Sequence, residues 1–221
     1  MQSVLVSWSG GKDSAVALYE LIKSQNYKIA TLVTTLTADY DRISIHGVRR
    51  SLLEQQAAAL GFPLEKVLIS RNATNEEYET AMGQVLTRYR DAGITTVMYG
   101  DIFLEDLRKY REDKLAELGM TGIFPLWKRD TRELAQSLTT LGFKAITTCV
   151  DSQVLGRQFV GRLIDAQFLS ELPPTVDPCG ENGEFHSFVY AGPIFKEPIA
   201  CTPGEIVLRE NRFYYCDLVP G

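Results

Sequence analysis

Residues 9 to 14 read Ser9-Gly10-Gly11-Lys12-Asp13-Ser14, a grouping that could hold an anion. Two adjacent glycines free the backbone to turn its N–H groups toward one point. Lys12 adds a compact positive charge suited to a phosphate. Asp13 beside it is a ligand type that Mg²⁺ accepts together with phosphate oxygens. Val4-Leu5-Val6 ahead of the loop reads as a buried strand, and Ala15 to Ile22 behind it as a helix with one apolar face. A turn at a helix start also receives the partial positive charge of the helix dipole. The spacing excludes two commoner phosphate loops. A P-loop would need glycine where Val6 stands and Ser or Thr where Asp13 stands, and no G-x-G-x-x-G is present. A Gly-rich surface turn is the plain alternative, but it leaves the strand before and the helix after unexplained.

A second dense group runs from Asp177 to Val189: Asp177-Pro178-Cys179-Gly180-Glu181-Asn182-Gly183-Glu184-Phe185-His186-Ser187-Phe188-Val189. Glu181 and Glu184 can bind a cationic group or orient ammonia. His186 could move a proton near neutral pH. Cys179 with His186 could form a nucleophile pair. Asp177, Cys179, Glu181 and His186 could also hold a metal, although their spacing matches no standard zinc site. A hairpin with glycine turns and exposed acids is the alternative. Two further positions belong with these groups. Gly100-Asp101 follows the apolar stretch Thr95 to Tyr99, and Asp101 joins Asp13 as a Mg²⁺ candidate, with helix N-capping as its other reading. His46, one of two histidines, stands at the head of a helix after the second strand and is a nucleotide-contact candidate against a capping role.

The chain positions these groups through an alternation of strands and helices. Strands are expected at Val4–Val6, Lys28–Leu36, Lys66–Ser70, Thr95–Tyr99 and Phe143–Val150. Helices are expected at Val48–Leu60, from Thr74 (a capping box with Glu77) to Ala92, at Leu104–Leu118, and from Asp130 to Leu141. Five strands joined by helical crossovers predict a parallel sheet covered on both faces. Ligands of such sheets sit at the carboxyl ends of the strands, where strand order switches. The loop at 9–14, Gly100-Asp101 and Asp151 are all expected at such ends. Past about residue 155 the texture changes. A short helix is expected at Phe159–Leu169, then proline-forced extended chain, then strands at Ser187–Tyr190, Gly204–Arg209 and Arg212–Leu218. The expected division is residues 1–154 as the nucleotide domain and 155–221 as a smaller substrate-facing α+β domain.

Composition narrows the function classes. At 221 residues, with 45% hydrophobic and 23% charged side chains, the chain can bury a substantial core and reads as a globular protein. A net charge of −5 argues against a large nucleic-acid footprint. No apolar run reaches transmembrane length, and the first strand begins too early for a signal peptide, so a cytoplasmic protein is expected. The four cysteines, Cys149, Cys179, Cys201 and Cys216, form no C-x-x-C pair and are expected to be reduced.

Ser9 to Ser14, Gly100-Asp101-Ile102 and Gly180-Glu181-Asn182-Gly183-Glu184-Phe185 together resemble the diphthine–ammonia ligase family of PP-loop ATP pyrophosphatases, in order and spacing along nearly the whole chain. The first motif by itself identifies only the broad PP-loop group. The resemblance implies an adenine nucleotide alpha hydrolase-like (HUP, Rossmann-like) sheet. It implies ATP and Mg²⁺ as cofactors and an AMP-forming reaction: ATP adenylates a carboxylate with release of pyrophosphate, and ammonia then attacks to give an amide. It assigns Ser9, Gly10, Gly11, Lys12, Asp13, Ser14, His46, Gly100 and Asp101 to the nucleotide, with Asp13 and Asp101 on the metal. Cys179, Glu181, Glu184, Phe185 and His186 fall to the acceptor, and Lys12, Asp13, Glu184 and His186 to the chemistry. The partners are a carboxylate on a small molecule or modified protein side chain, ammonia, and a second copy in a homodimer, with no membrane. One departure stands out. Members acting on diphthine typically follow Gly-Glu-Phe with an acid and a threonine, where this chain has His186-Ser187. The Gly-Glu-Phe-His form resembles a bacterial branch, where the acceptor is expected to be another carboxylate. A tRNA-modifying PP-loop enzyme, a PP-loop nucleotide hydrolase and a non-catalytic ATP-binding module are the competing readings.

Overall fold

The computed structural model describes residues 1–44 and 46–221. Its elements run β1 (Gln2–Ser7), α1 (Lys12–Ser24), β2 (Tyr27–Thr37), β3 (Arg42–Ile43), α2 (Arg50–Leu60), β4 (Leu64–Ile69), α3 (Asn75–Asp91), β5 (Thr96–Met98), α4 (Glu105–Glu117) and β6 (Thr121–Ile123). Then follow α5 (Thr131–Thr140), β7 (Lys144–Asp151), α6 (Ala166–Glu171), β8 (Phe185–Ala191), β9 (Cys201–Arg209) and β10 (Phe213–Pro220).

The parallel strands lie in the order β4-β2-β1-β5-β6, and β3 adds an antiparallel ribbon to the end of β2 beyond β1. Chain order leaves β1 in one direction through β2 and β4 and in the other through β5 and β6. The switch therefore falls between β1 and β5, and the loops after those two strands open on one crevice. Those loops are the Ser9–Ser14 turn and Gly100-Asp101.

One expected strand is in the other sheet. Lys144–Asp151 pairs antiparallel with β8 and β10 in a second sheet of order β8-β7-β10-β9. The fifth parallel place goes to Thr121–Ile123, three residues with no alternation that would announce a strand. Asp151 accordingly sits at the end of an antiparallel strand, paired with Arg212 at 2.6 Å, and not at the parallel crevice. The helix expected at Phe159–Leu169 is also interrupted. A single 3-10 turn covers Arg157–Phe159, Gly161 adopts φ +77°, Leu163 bridges to Ile146, and α6 starts afresh behind Asp165, whose side chain accepts from Phe168 N at 2.8 Å. The capping box at Thr74 and Glu77 is present, as its spacing predicts.

Both sheets feed one core. A continuous cluster joins Val4, Val6, Trp8 and Leu18 of the first unit to Phe168, Phe185, Phe188 and Leu218 of the second. A separate cluster, including Leu5, Val97, Tyr99 and Leu115, fills the opposite face of the parallel sheet beneath α3 and α4. Among the described residues no helix is long and apolar enough to cross a membrane.

Candidate functional site

The turn after β1 is shaped by its glycines. Gly10 takes φ +75°, and a Cβ there would meet Gln56 Oε1 at 2.7 Å. Gly11 is the N-cap of α1 and supplies no capping side chain, so the helix start is left to other partners. Ser9 Oγ lies 3.1 Å from Ser14 Oγ and accepts from Gly11 N at 3.3 Å, and Ser14 Oγ donates to Gly11 O at 2.9 Å. Gly100 comes so close to this turn that a Cβ would stand 3.0 Å from the backbone of Asp13 and Ser14. The glycine is needed for close approach of the two crevice loops.

The second sheet roofs the turn. Val189 N donates to Gly10 O at 2.9 Å, and Lys12 N donates to Ser187 Oγ at 3.1 Å. Lys12 is only 4% exposed. Its ammonium contacts Asp13 Oδ2 at 2.8 Å, donates to the Cys179 carbonyl, and lies 5.1 Å from the Phe185 ring centre. Burial works against the charge on Lys12, but the Asp13 carboxylate beside it outweighs that and holds the ammonium above its ordinary range.

The Asp177–Phe185 segment is a tight loop organised by its own acids. Asp177 Oδ2 accepts from Cys179 N and Glu181 N at 3.1 and 3.0 Å. Glu184 is buried, and its oxygens accept from Asp177 N, Asn182 N and Asn182 Nδ2, each at 3.0 Å. Glu181 instead reaches across to the other crevice loop, where its Oε1 accepts from Ile102 N at 2.7 Å and Phe103 N at 3.4 Å. Burial, with Asp13 and Asp101 adding repulsion, pushes its carboxyl up to about 7. Asp101 stands beside it, buried, with Arg111 Nε 2.7 Å from its Oδ2 in a geometry that does not align the N–H. Arg111 is itself held over the Tyr99 ring at 4.4 Å.

His46 Nδ1 lies 3.2 Å from Ser187 O, so the carbonyl selects the tautomer protonated at Nδ1. The His46 and His186 rings meet at 4.7 Å. Burial pulls His46 down to about 4, and burial with the neighbouring His46 and Lys12 holds His186 well below the imidazole range. Both rings are neutral at pH 7, and their lowered proton affinity makes them weak bases there. Cys179 is placed apart from this chemistry. Its thiol donates to Thr131 O at 3.2 Å, and burial raises its pKa, so it is a protonated thiol and not a thiolate.

The structure thus brings together Ser9, Gly10, Gly11, Lys12, Asp13, Ser14, His46, Gly100, Asp101, Glu181, Phe185 and His186. Cys179 contributes through its carbonyl and Glu184 through the loop it holds. Sequence reasoning missed Gln56, which is fully buried in α2. It accepts from Trp8 Nε1 at 3.0 Å and donates to Gly10 O at 3.0 Å and Val189 O at 2.6 Å. The signal was available: Gln56 shares the helix face of Leu52, Leu53 and Leu60, where a polar side chain is out of place unless it has partners. Arg111 carried no such signal, and Ser187 stood out only as part of the Asp177–Val189 group.

The donor set suits a nucleotide polyphosphate with a divalent cation. The turn offers backbone amides, two hydroxyls and an ammonium, and Asp13 and Asp101 are the carboxylates that could contact a divalent cation on such a ligand, each paired here with a cation of the protein, Lys12 and Arg111. Among the described residues, no group of three or more His, Cys, Asp or Glu side chains is arranged so that it could hold a metal ion.

Fold and site together define an α/β protein of the PP-loop type, its glycine-rich turn closed over by a second sheet. The chain belongs to the diphthamide synthase family: the family's N-terminal domain matches residues 1–122 and its C-terminal domain residues 130–217. Among its relatives is the diphthine–ammonia ligase of Schizosaccharomyces pombe, 25% identical over 90% of this chain, which spans only 36% of that longer protein. The Danio rerio diphthine–ammonia ligase is 26% identical, covering 92% of this chain and 88% of its own length, and that of Homo sapiens is 22% identical, covering 91% and 83%. A solved structure described as a "predicted subunit of tRNA methyltransferase" from Methanocaldococcus jannaschii aligns at TM-score 0.44 and 19% identity, over 66% of this chain and 77% of that one.

Proposed function

We propose that this protein is an ATP-dependent amide ligase that adenylates a carboxylate, releases pyrophosphate, and transfers the acyl group to ammonia with release of AMP. One observation carries the reading: Lys12 of the anion-binding turn is gripped by Asp13 and the Cys179 carbonyl while Glu181 of the same acidic loop bonds the chain just after Asp101. The polyphosphate site, both metal-candidate carboxylates and the acidic loop therefore form one centre.

In this centre the amides at the start of α1 and the Ser9 and Ser14 hydroxyls bind phosphate oxygens. Lys12 stabilises the charge that grows on the leaving pyrophosphate, because a fixed cation in a dry site costs no reorganisation when that charge develops. Mg²⁺, held by Asp13 and Asp101, would supply further charge neutralisation to the phosphates. The acceptor carboxylate oxygen attacks the α-phosphorus as the bridge to pyrophosphate breaks. Ammonia then attacks the acyl carbon as the bond to AMP breaks. Glu181, poised near neutrality, takes the proton that the nitrogen sheds. Glu184 has its carboxylate committed to the loop and acts by holding Glu181 and Phe185 in place. His186, neutral and with its ring tilted against that of His46, lines the acceptor side. The relatives are named for diphthine, and diphthine is the first acceptor to try, followed by other carboxylates because His186-Ser187 sets this acceptor end apart.

The test is ATP turnover with Mg²⁺ and ammonium, with and without diphthine-bearing elongation factor or a cell extract, resolving AMP, ADP, pyrophosphate and phosphate. Acceptor-dependent AMP and pyrophosphate are expected. ADP with phosphate, or tight ATP binding with no turnover on any acceptor, would overturn the ligase.

A further inference from the structure

Asp101 is gripped by one side chain of α4. Arg111 stands one helical turn ahead of Leu115, the buried side chain of that helix, and so on its inward face. Two other cations of α4 pair along the helix itself, Arg108 with Glu112 at 2.8 Å and Lys109 with Asp113 at 2.6 Å. Arg111 instead reaches the loop after β5. Its Nη2 donates to Asp101 Oδ1 at 3.2 Å, and its Nε lies 2.7 Å from Oδ2. Among the described residues Asp101 is the one carboxylate that pairs with it. The guanidinium is seated in its turn. It lies 4.4 Å from the centre of the Tyr99 ring, and Tyr99 is buried and stacked on Phe124 at 5.6 Å. Arg111 also lines a cleft of about 280 Å³ between α3 and α4, together with Tyr78 and Tyr110.

A buried ion pair is a weak source of stability, because both charges give up their hydration to form it. Its value lies in what it fixes. A planar guanidinium can meet both oxygens of a carboxylate and set its plane as well as its place, whereas a lysine offers a single point of charge. Asp101 Oδ2 has no aligned donor, so the carboxylate keeps lone pairs for a further cation. The backbone of the same loop is pinned independently. Lys128 N donates to Ile102 O at 2.7 Å, and Glu181 Oε1 accepts from Ile102 N at 2.7 Å. What those two bonds leave free is the Asp101 side chain, and Arg111 is the group that fixes it.

We propose that Arg111 is a positioning residue of the nucleotide site: acting through Asp101, it holds that carboxylate in the orientation that contacts the divalent cation carried by ATP. This role rests on the cation contact given to Asp101 under the ligase reading and deepens it by naming the residue that prepares the contact. Groups that orient a ligating carboxylate typically govern metal affinity by about 10–100-fold.

The test uses the whole protein. Mn²⁺ binding to the complex with saturating α,β-methylene-ATP is read by electron paramagnetic resonance, and binding of the nucleotide without metal by calorimetry in EDTA. Arg111→Met is expected to weaken Mn²⁺ binding about 10–100-fold and to leave metal-free nucleotide affinity unchanged. Arg111→Lys should recover part of the loss. Removing one partner of a buried pair also costs stability, so a variant that buries no unpaired charge accompanies these. Asp101→Asn/Arg111→Met should bind Mn²⁺ no more weakly than Asp101→Asn by itself, because the effect runs through Asp101. Unchanged or tighter Mn²⁺ binding in Arg111→Met, parental Mn²⁺ affinity in Asp101→Asn, a further loss in the double variant, or an equal loss of metal-free nucleotide affinity overturns the role. AMP formation is followed on the same preparations. AMP formation by a protein whose Mn²⁺ affinity is indifferent to Arg111 removes this inference alone. Mn²⁺ affinity that follows Arg111 in a protein forming no AMP on any acceptor keeps it and removes the ligase reading.

Discussion

Lys12 is a buried cation whose contacts in this structure are Asp13, the Cys179 carbonyl and the Phe185 ring. Replacing it by Met keeps the stem volume and removes the charge. Lys12→Met is expected to lower AMP formation by about 10²–10³, the usual cost of one charge-stabilising donor, and, because Asp13 and the Cys179 carbonyl lose their partner, to cost about 1–3 kcal/mol of stability as well. Wild-type pyrophosphate release in this variant would show that Lys12 has no part in the chemistry. Glu181 gives a pH prediction. Burial raises its carboxyl from an ordinary 4.5 to about 7 in the folded chain. Below 4.5 both folded and unfolded chains hold the proton; between there and 7 only the folded chain does. Stability is therefore lost as pH rises through that window, and Glu181→Gln should flatten the fall of the melting temperature between pH 5 and 7.5. If Glu181 takes the proton from the attacking nitrogen, the rate climbs as pH passes through about 7, and the Gln variant loses that limb. Identical pH profiles for the two proteins would remove the role.

Among the elements, α2 carries the least expected burden. Gln56 ties Trp8 after β1, the Gly10 carbonyl of the turn and the Val189 carbonyl of β8 into one node. Gln56→Leu leaves those groups buried without partners, and a loss of about 2–4 kcal/mol in urea unfolding is expected. The turn should loosen with it, so KM for ATP rises more than kcat falls. A variant as stable as the parent, with unchanged KM, would show that the node does not hold the turn. The helices themselves follow local rules that the sequence displays, such as the Thr74–Glu77 box and the left-handed glycine at Gly61. β6 is different. Thr121-Gly122-Ile123 gains its strand identity only by pairing with β5, because three residues make too weak a local preference to register in a pattern.

At the scale of the whole molecule, two sheets share one hydrophobic cluster. We expect a single cooperative transition, with Trp8 and Trp127 fluorescence and far-UV circular dichroism giving coincident curves in urea. Separated transitions would mean that the second sheet folds as an independent domain. The same sharing explains why the sheet membership of Lys144–Asp151 was not legible. Its run of buried residues reads equally well as a central parallel strand or as the middle of an antiparallel one, and only its neighbours differ.

The sequence by itself determined the glycine-rich turn, the acidic loop and the alternation that builds a parallel sheet. Each is written in residues close together along the chain, where glycine freedom, charge spacing and periodicity act locally. Tertiary structure decided what those pieces face. It put Glu181 against the loop after Asp101, gave Glu184 to its own turn, paired His46 with His186, and turned the Cys179 thiol to a carbonyl. It also spent Asp217 on two arginines and set Arg111 against Asp101. These outcomes depend on burial and on partners far apart in sequence, and burial shifts a proton affinity only once the fold has removed the water.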